Sequence, residues 1–382
     1  MPTRRYTIRM KPTARQVRLF WRLVGSRRHV WNWALEKVDA LYAENGKVTA
    51  KDWLALSRDF TEYRNTEATW LLELNYKATV SVLRDLRAAR DRAIANSVKR
   101  IRVGPKHNPY GFPRPKKRGR GNAGFWMPSR TRVDGNRLVL FKERVRLMRE
   151  LPVGDVGASV RIKHSGGKWY ASFTVTTPDT GVALVEPSNL VGIDIGLKDY
   201  AILSDGTTIA NPRFFCRMHR KLKHWQRKLA RQKEGSGRRF RTKQRIAKIH
   251  AGIANRRKHY AHLQSRRIAD TFDAACIESH SLKSQARGRL AKSVHDAGHG
   301  SFRHNLKYKL PDRGKQLIEA DPFFPSTKQC SSCGELNNAI TLSTRKWTCP
   351  ACNVAHDRDL NAANNLEAYG REQVAADELN ET

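Results

Sequence analysis

Four cysteines near the C-terminal end of the sequence have the spacing of a metal site. Cys330, Cys333, Cys349 and Cys352 follow the pattern C-x2-C-x15-C-x2-C, in which two knuckles can present four thiolates to one tetrahedral Zn²⁺. Two local disulfides or four core thiols are the alternatives, and a reducing compartment disfavours the disulfides. A shell of four cysteines has no open position for a substrate, so the sequence predicts a structural zinc ion with His356 as a neighbour. The chemistry must then lie elsewhere in the chain.

Three acidic residues stand where a carboxylate is costly without a cation. Asp194 interrupts the apolar strand pattern LVGIDIG, and Glu278 ends a second one, AACIE. Asp359, in HDRDLNAANN, is predicted in the first turn of a helix whose alanines face the core. Each acid alone fits a helix cap or a turn, and for the neighbouring Asp357 the cap remains the favoured interpretation. Together the three suit a pair of Mg²⁺ ions that activate water and stabilise the leaving oxygen of a phosphodiester.

The net charge indicates a polyanionic partner. The 382 residues include 73 Lys and Arg against 35 Asp and Glu, which gives a formal charge of +38 and favours a nucleic acid or a membrane surface. No uninterrupted apolar run of about 18 residues occurs, and the N-terminal MPTRRYTIRMKPTARQ lacks the apolar region of a signal peptide. We therefore expect a long or folded nucleic acid as the partner, no membrane, and a reducing cytoplasm.

The first half of the chain divides into segments of different pattern. RRYTIRMKPT alternates like a short strand, and Thr13 is a candidate cap for a helical pattern that continues to about Arg102. VGPKHNPYGFPRPKKRGRGNAG interrupts that pattern as a linker or an extended backbone-binding segment. RLVLF, VRLMREL and ASVRIKHSGGKWYASFTVTT alternate as strands, with a hairpin turn at Gly166-Gly167. They predict a β domain with the form of a small barrel.

The second half of the chain predicts a further domain that contains all three acids. Two strands and an Asp205-Gly206 turn precede a basic stretch from about Phe215 to Thr271, which is predicted as an antiparallel helix pair. The basic faces of this pair are either solvated or bound to phosphates. DAACIES then predicts a strand, QARGRLAKSVHDAGHGS a glycine-rich loop, and FRHNLKYKLPDRGKQLIEADPFF a helix interrupted at Pro311 and a following strand.

The order of these motifs resembles one known family. GIDIG, a basic helix pair, IES, a four-cysteine ribbon and HDRDLNAANN follow one another as in TnpB, the transposon-encoded relative of the type V CRISPR nucleases. YTIRMKPTARQ, GFPRPKK, LAKSVHDAGHGSF and FPSTKQCSSCG extend the resemblance over nearly the whole chain. The resemblance implies a RuvC-like nuclease of RNase H fold with Asp194, Glu278 and Asp359 as catalytic magnesium ligands. His299, where the family's lid has an aromatic residue, and Pro311 are departures that concern the lid and not the acids.

The resemblance also implies a multidomain α+β layout. A helical REC-like domain, a β-barrel wedge domain and an RNase H-like (RuvC) α/β nuclease domain with an inserted four-cysteine zinc ribbon are expected. Their ranges are 1–12 for the first wedge strand, 13–105 for the recognition helices, 106–186 for the wedge, 187–326 and 355–370 for the nuclease, 327–354 for the ribbon and 371–382 for an acidic tail.

The activity implied by the resemblance is RNA-guided cleavage of double-stranded DNA beside a short motif, by a monomeric protein bound to a guide RNA from the transposon end. The resemblance also implies a prokaryotic cytoplasm, with action at the nucleoid. Lys77 and Arg84, in YKATVSVLRDL, match the helix that approaches the motif in the family. The alternatives are a non-cleaving RNA- or DNA-binding regulator, a transposase that acts without RNA, and a ribosome-associated basic protein. The intact acids argue against the regulator, and copurifying RNA would exclude the transposase. Acids within apolar strands do not suit the ribosome-associated protein.

Overall fold

A computed structural model describes most of the chain. The described residues are 3–105, 107–117, 123–128, 132–141, 143–178, 182–183, 185–279, 288, 290–341 and 343–381, with side chains described as far as residue 376. The chain forms two compact units, Met1–Asp179 and Thr180–Thr382. Each unit has its own sheet and its own buried core, and none of the described helices has the length and apolar character needed to cross a membrane.

The helices of the first unit follow the predicted helical pattern. They are α1 (Ala14–Asn45), α2 (Ala50–Thr66) and α3 (Tyr76–Val98), with a short 3-10 turn at Thr69–Glu73 between the last two. Thr13 is the predicted cap: its side chain accepts the Gln16 backbone N–H, and the Gln16 side chain accepts the Thr13 N–H in return. This reciprocal pair satisfies two of the donors that a helix start leaves open.

The sheet of the first unit has seven antiparallel strands. They are β1 (Thr3–Lys11), β2 (Ala123–Met127), β3 (Arg132–Asp134), β4 (Arg137–Leu140), β5 (Glu143–Leu147), β6 (Asp155–Ser165) and β7 (Lys168–Thr176), in the order β2-β6-β7-β1-β5-β4-β3. The predicted hairpin turn is present, because Gly166 and Gly167 both have positive φ between β6 and β7. Two positive φ values in succession are the geometry of a tight two-residue hairpin.

The helices and the sheet of the first unit share one hydrophobic core. The segment between them, around GFPRPKK, lies against α1. Trp31 Nε1 donates to the carbonyl oxygen of Arg114 at 2.9 Å, and Asn32 exchanges two hydrogen bonds with the backbone of Lys116. The Lys116 ammonium also lies 3.3 Å from the centre of the Trp31 ring. The described part of this segment is therefore an extended strap whose backbone is bound by α1.

The second unit contains a mixed five-stranded sheet. Its strands are β8 (Leu190–Asp194), β9 (Asp199–Leu203), β10 (Thr208–Ala210), β11 (Ala274–Glu278) and β12 (Gln316–Ala320), in the order β10-β9-β8-β11-β12. Strands β8, β11 and β12 are parallel, whereas β9 and β10 complete an antiparallel edge. The parallel strands β8 and β11 are buried over four residues each, which agrees with their unbroken apolar sequences.

The helices of the second unit lie before and after β11. They are α4 (Phe214–Ala230), α5 (Gly237–Thr271), α6 (Ala291–Ala297), α7 (His299–Lys309) and α8 (Arg358–Glu381). The predicted basic helix pair is present as α4 and α5, which pack against each other. The helix predicted before Pro311 ends at Lys309, and a 3-10 turn at Pro311–Arg313 leads into β12, as expected. α8 continues into the acidic residues from 371 onward.

The prediction of a glycine-rich loop for residues 285–301 is wrong for most of those residues that the structure describes. Ala291–Ala297 and the residues from His299 onward are helical, and Gly298, with φ of 72°, joins the two helices. Val294, Ala297 and Phe302 are buried, so apolar residues at helical spacing outweigh the glycines. Residues 285–287 and 289 of the predicted loop lie outside the described residues.

Candidate functional site

The Asp194 and Glu278 carboxylates lie at the same end of two neighbouring parallel strands. Asp194 is the last residue of β8 and Glu278 the last residue of β11. Ile193 pairs with Ile277, so the two acids follow at the same level of the sheet. The residues before each acid are buried and the acids themselves are half-buried. A strand end is where a buried strand can present a charge with access to a cation or to water.

The helix with the third acid, α8, crosses β8 in close contact. A Cβ atom added to Gly192 would lie 1.9 Å from the carbonyl oxygen of Ala363, so the glycine in GIDIG permits this approach. Ala362, Ala363 and Leu366 are buried, and Asp359 lies in the first turn of α8. Both observations agree with the sequence prediction for this helix.

The three acids act on one another electrostatically. Burial, followed by the negative charges of Glu278 and Asp359, raises the pKa of Asp194 to about 8. The Glu278 carboxylate accepts a 2.6 Å hydrogen bond from Ser326 Oγ. A half-buried group of like charges is a place where a divalent cation would be stabilised. The structure therefore brings all three predicted acids into one electrostatic environment.

Asp359 is held by arginines beside this group. Arg358 donates to Asp359 Oδ1 from Nε at 3.0 Å and from Nη2 at 2.7 Å, and Arg345 Nη1 lies 3.6 Å from Oδ2. The oxygens of Asp194, Glu278 and Asp359 do not all lie within 4.8 Å of one another. The arrangement is thus two acids on strand ends and a third that faces guanidinium groups.

Asp357 caps the start of α8. Its Oδ1 accepts the backbone N–H groups of Asp359 at 3.1 Å and Leu360 at 3.2 Å. A carboxylate in this position satisfies open donors and complements the positive end of the helix. The cap interpretation of Asp357 is therefore confirmed, and the cap fixes the backbone on which Asp359 stands.

The four cysteines lie on two knuckles with the same hydrogen-bond pattern. In the first, the Cys330 N–H donates to the carbonyl oxygen of Glu335, and the Gly334 N–H donates back to Cys330, each at 2.9 Å. In the second, Cys349 and Asn353 repeat this pattern with Val354 as the acceptor. Gly334 and Asn353 both have positive φ, the conformation that such a tight reversal requires.

The sulfur atoms of the knuckles form a compact cluster. Cys330 Sγ lies 3.6 Å from Cys352 Sγ, and Cys333 Sγ lies 3.6 Å from Cys349 Sγ. Four sulfurs at about 2.3 Å from one tetrahedral ion would lie roughly 3.8 Å apart, so this donor set fits Zn²⁺. Among the residues that the structure describes, these four form the one group of three or more metal-binding side chains with all ligand atoms within 4.8 Å.

The thiols of the cluster differ in pKa: against a backbone hydrogen bond from Glu335, which lowers it, burial and hydrogen bonds with the other thiols raise the pKa of Cys333 to about 12. A backbone hydrogen bond from Cys352 lowers the pKa of the Cys349 thiol to about 7. His356 Nε2 lies 3.1 Å from Cys330 Sγ, and its ring packs 4.8 Å from that of Trp347. His356 is therefore a neighbour of the cluster, as the sequence predicts. The hairpin of β13 (Lys346–Thr348) and β14 (Ala355–Asp357) leads from this cluster directly into α8.

Two asparagines that the sequence interpretation missed attach this ribbon to α8. Asn361 Nδ2 donates to the carbonyl oxygen of Gln329, and its Oδ1 accepts the Ser331 N–H. Asn365 Nδ2 donates to the carbonyl oxygens of Ser326 and Gln329, each at 2.7 Å. Both side chains are buried. The signal was two asparagines four residues apart in NAANN, a spacing that places both on one helix face.

The segment after Glu278 returns to the site through α7. Arg303 donates to the carbonyl oxygen of Glu278. One turn earlier His299 is buried, with Nε2 3.2 Å from the carbonyl oxygen of Tyr200. Burial lowers the pKa of His299 to about 4, so the imidazole is neutral at pH 7 and donates from Nε2. The departure from the family's aromatic residue thus places a neutral ring in the core.

The start of α4 is capped by a residue far away in the sequence. Arg213, at the cap position, has φ of 44° and offers no side-chain hydrogen bond to the helix. Asp296 of α6 accepts instead from the Phe215 N–H at 2.7 and 2.9 Å and from the Cys216 N–H at 3.3 Å. Asp296 is buried, and Arg257 of α5 donates to the neighbouring carbonyl of His295. The short helix α6 is therefore attached to both helices of the basic pair.

Lys77 and Arg84 belong to the first unit and not to the unit with the acids. Both are exposed on α3. The Arg84 guanidinium lies 3.8 Å from the centre of the Trp126 ring in β2, a contact that orients the cation.

Comparisons with known proteins agree on one family. The family model described as "Probable transposase" matches residues 172–283, which include Asp194 and Glu278. The model described as "Cas12f1-like, TNB domain" matches residues 299–366, which include the four cysteines and Asp359. A third model, "Helix-turn-helix domain", matches residues 1–47.

Two relatives match almost the whole chain. A protein of Streptomyces pristinaespiralis, named "Putative RNA-guided DNA endonuclease", is 31% identical over 375 residues, which cover 96% of this chain and 89% of the relative. The Escherichia coli K12 protein named "Putative RNA-guided DNA endonuclease InsQ" is 28% identical over 400 residues, with 98% and 94% covered. A solved Cas12f1-sgRNA-target DNA complex matches with a TM-score of 0.36 at 18% identity, and covers 96% of this chain and 99% of its own.

Proposed function

The chain belongs to the TnpB family of RNA-guided DNA endonucleases, and we propose from this membership that it cleaves double-stranded DNA beside a short motif under the direction of a transposon-end guide RNA. The observation that carries the proposal is the placement of Asp194 and Glu278 at the ends of adjacent parallel strands, with Asp359 on the helix that crosses them. The net charge of +38 suits a partner that includes both a guide RNA and a DNA strand. We infer action as a monomeric protein within a ribonucleoprotein, in the cytoplasm and at the nucleoid.

The domain assignment follows the family. Residues 187–326 and 355–370 form a RuvC-like nuclease domain, residues 327–354 a zinc ribbon inserted in it, and residues 371–382 an acidic extension. The mixed sheet with acids at one edge supports the nuclease assignment. In the first unit, residues 13–105 form the recognition domain, while residues 1–12 and 106–186 form the wedge.

Zinc is the metal assigned to the four cysteines. The supporting observation is the pair of 3.6 Å sulfur separations in a closed donor set of four thiols. Such a site leaves no open position, so its role is to hold the ribbon and the entry to α8. A reducing compartment keeps these thiols available as ligands.

Magnesium is the metal assigned to the three acids. Two bound Mg²⁺ ions would supply charge neutralisation and an acidified water for attack on the phosphodiester. The residues of the chain hold and orient: Ser326 donates to the Glu278 carboxylate, Arg303 holds the Glu278 backbone, and Arg358 orients Asp359. The raised pKa of Asp194 supports a cation here, because clustered carboxylates need a positive charge to remain ionised together.

Lys77 and Arg84 are assigned to the DNA motif. They are seven residues, or about two turns, apart on α3 and therefore lie on the same face of that helix. Trp126 stacks on the Arg84 guanidinium. A planar guanidinium held on an aromatic ring is prepared for contact with a base edge or a phosphate.

The test of the proposal is a cleavage assay with the protein copurified with its own RNA. Double-stranded DNA that matches the RNA is incubated with Mg²⁺ and the parent, Asp194→Asn, Glu278→Gln or Asp359→Asn. Asp205→Asn is the matched control, because Asp205 is an exposed turn acid of the same unit that accepts the Thr207 N–H. We expect the parent and the control to cut matched targets, and each site variant to bind them with a cleavage rate reduced at least about 10³-fold.

Three outcomes would contradict the proposal. A parent that binds matched DNA and leaves it intact would be a guided regulator. A parent that cuts or joins DNA without RNA would be a transposase. If the site variants cleave as fast as the parent, the three acids are not the catalytic residues.

A further inference from the structure

The positive charge of the second unit is concentrated in one helix pair. Residues 214–271, which contain α4 and α5, include 19 Lys and Arg against 2 acidic residues. This stretch of 58 residues therefore contributes +17 to the total of +38. Charge of one sign at this density repels itself unless a polyanion neutralises it.

The contacts of α5 fix its direction relative to the acids. Its last residue, Thr271, accepts a hydrogen bond from Asn189, just before β8 begins. Eleven residues earlier the Tyr260 ring meets Tyr200 edge to face at 5.1 Å. Asp194 pairs with Ile202 of the antiparallel strand β9, and Tyr200 precedes Ile202 by two residues. Tyr200 therefore lies past Asp194 in the direction in which β8 runs. α5 therefore runs antiparallel to β8, and Tyr260 stands at the edge of the sheet where the acids lie.

The remainder of α5 extends past that edge. Residues 237–259 correspond to about 34 Å of helix at 1.5 Å per residue. α4 accompanies them, because it begins beside Tyr260 at Phe214 and meets the start of α5 where Arg239 donates to the carbonyls of Leu229 and Gln232. We call α4 together with residues 237–259 of α5 the basic arm. The arm begins at the acid edge and leads away from it.

One face of α4 presents a cation at nearly every turn. The series is Arg220, Lys223, Arg227 and Arg231, and with His224 and Lys228 it lines an open groove of about 660 Å³. Within the part of the chain that the structure describes, none of the four forms an ion pair with an acidic side chain. They span about 16 Å along the helix axis.

The face offers charge and not a stacking platform. Trp225, on the same helix, already has the Arg245 guanidinium of α5 at 4.4 Å and the Lys228 ammonium at 5.3 Å from its ring centre. A surface of this kind binds phosphates without reading bases.

We propose that the basic arm binds the phosphate backbone of the DNA strand on which the acids act, over the nucleotides next to the cut. This rests on the proposed function. DNA is favoured over the guide RNA because the arm starts at the acid edge, and a strand with a phosphodiester at that edge must continue beyond it. At about 3.4 Å per nucleotide, a 34 Å arm covers about 10 nucleotides. The contact is independent of sequence.

The test removes charge at two matched places on the same unit. Arg227→Gln with Arg231→Gln changes the arm. Arg266→Gln with Arg267→Gln changes two exposed cations in the last turns of α5, at the opposite end of the sheet, of which Arg266 is ion-paired with Asp270. Glutamine retains helix propensity. All proteins carry Asp194→Asn so that the DNA stays intact, and Kd for matched DNA is measured with the RNA-bound protein from 50 to 200 mM salt.

The affinity of the arm variant for DNA should depend less steeply on salt than that of the parent. At 0.7–0.9 per phosphate contact, the slope of log Kd against log salt falls by roughly 1.4–1.8. The ratio of variant to parent Kd then shrinks about 7- to 12-fold between 50 and 200 mM salt. The control pair should keep the parent slope, and Kd for the RNA should not change. An unchanged DNA slope would overturn the proposal, and a changed RNA slope with parent-like DNA binding would make the arm an RNA-binding surface.

A second measurement locates the contact. Neutral methylphosphonate linkages are scanned singly along each DNA strand. We expect weaker binding of the parent in one window of about 10 nucleotides beside the cut, and no such window for the arm variant. Effects scattered along both strands, or equal for both proteins, would also overturn the proposal. Because these readouts measure binding, loss of guided cleavage in the parent would count against the proposed function and not against the arm.

Discussion

The zinc ribbon and the acid edge solve the same problem, the convergence of several ligands, in opposite ways. The four cysteines lie within 23 residues, on two knuckles with the same local hydrogen bonds. The three acids are separated by 84 and 81 positions and meet only because β8, β11 and α8 pack together. Short loops close at little entropic cost, whereas long-range convergence depends on the whole fold. The ribbon should therefore assemble locally, and the acid edge should be sensitive to any change that moves α8.

The two regions are joined by α8 itself. The helix carries Asp359 in its first turn, and two and six residues later Asn361 and Asn365 bind the backbone that enters the ribbon. Ser326, from that same backbone, donates to Glu278. A displacement of the ribbon would therefore reach two of the three acids without any change to the acids themselves.

Removal of the two cysteines of one knuckle should have the largest effect on zinc binding and cleavage. It also distinguishes the zinc ribbon from the acid edge most clearly. Cys349→Ser with Cys352→Ser leaves two ligands, and zinc binding to a ribbon of this kind is worth about 10 kcal/mol or more. We expect loss of bound zinc, proteolysis between residues 327 and 357, and loss of cleavage, while the rest of the second unit keeps its unfolding transition. Zinc content and limited proteolysis measure this. Cys216→Ser, at an exposed cysteine outside the cluster, should leave both unchanged, and a double variant that retains one zinc per chain would contradict the assignment.

Asn365→Ala should uncouple the regions while each stays intact. The change leaves the buried Ser326 carbonyl without this donor and removes one of two donors to Gln329, at a cost of about 2–4 kcal/mol. Cleavage should fall although zinc remains bound, because Ser326 and the base of α8 are displaced together. Asn364→Ala is the matched control, since Asn364 is the half-buried neighbour on the same helix. Equal stability and cleavage in the two variants would show that the asparagine contacts do not join the regions.

Features whose partners are near in sequence could be predicted. The cysteine spacing, the Thr13 cap and the Gly166-Gly167 turn each depend on a few consecutive residues, and the structure has all three. Glu278 could be placed near a strand end and Asp194 within an apolar strand, because an apolar run with one acid has few other stable forms; in the structure the strand of Asp194 ends at the acid itself. The helices of the basic pair were also predictable, because their apolar residues recur at helical spacing.

Features that depend on distant partners could not be predicted. Asp296 caps α4 across about 80 residues, and nothing near Arg213 or Phe215 indicates an external cap. The asparagines of α8 bind backbone groups more than 30 residues earlier. In residues 291–301 the glycines suggested a loop, whereas burial of Val294 and Phe302 decided for helix. In each case tertiary packing outweighed the local signal.

The buried His299 gives the unit that contains the acids a pH-dependent stability. Its pKa is about 4 in the folded state and about 6.5 when unfolded. Below pH 6.5 the unfolded chain binds a proton that the folded chain does not, so stability is complete above pH 6.5 and is lost as the pH falls towards 4. Between pH 7 and pH 5 the loss is about 2 kcal/mol. His299→Phe should remove this part of the pH dependence of unfolding.

The control for this prediction is His304→Phe, at an exposed histidine of the same helix, which should keep the parent's pH dependence. Denaturant unfolding at pH 5 and pH 7 gives the comparison. If His299→Phe and the parent lose the same stability over this range, the buried imidazole is not the group responsible. Zinc content should be the same in both variants at pH 7, since neither residue touches the ribbon.

Asp296→Ala should give the smallest and most local effect. The Phe215 and Cys216 N–H groups would lose their acceptor, at a cost of about 1–2 kcal/mol, because Arg213 provides no cap in its place. Amide exchange at these two positions should accelerate by about one order of magnitude, while zinc content remains that of the parent. Asp296→Asn retains an uncharged acceptor, so its exchange rates at these two positions should lie between those of the parent and those of Asp296→Ala. Asp205→Ala removes an acceptor from an exposed turn and should leave exchange at Phe215 unchanged. If Asp296→Ala also leaves it unchanged, α6 does not anchor the basic helices, and the acid edge depends on fewer distant contacts than the comparison with the ribbon implies.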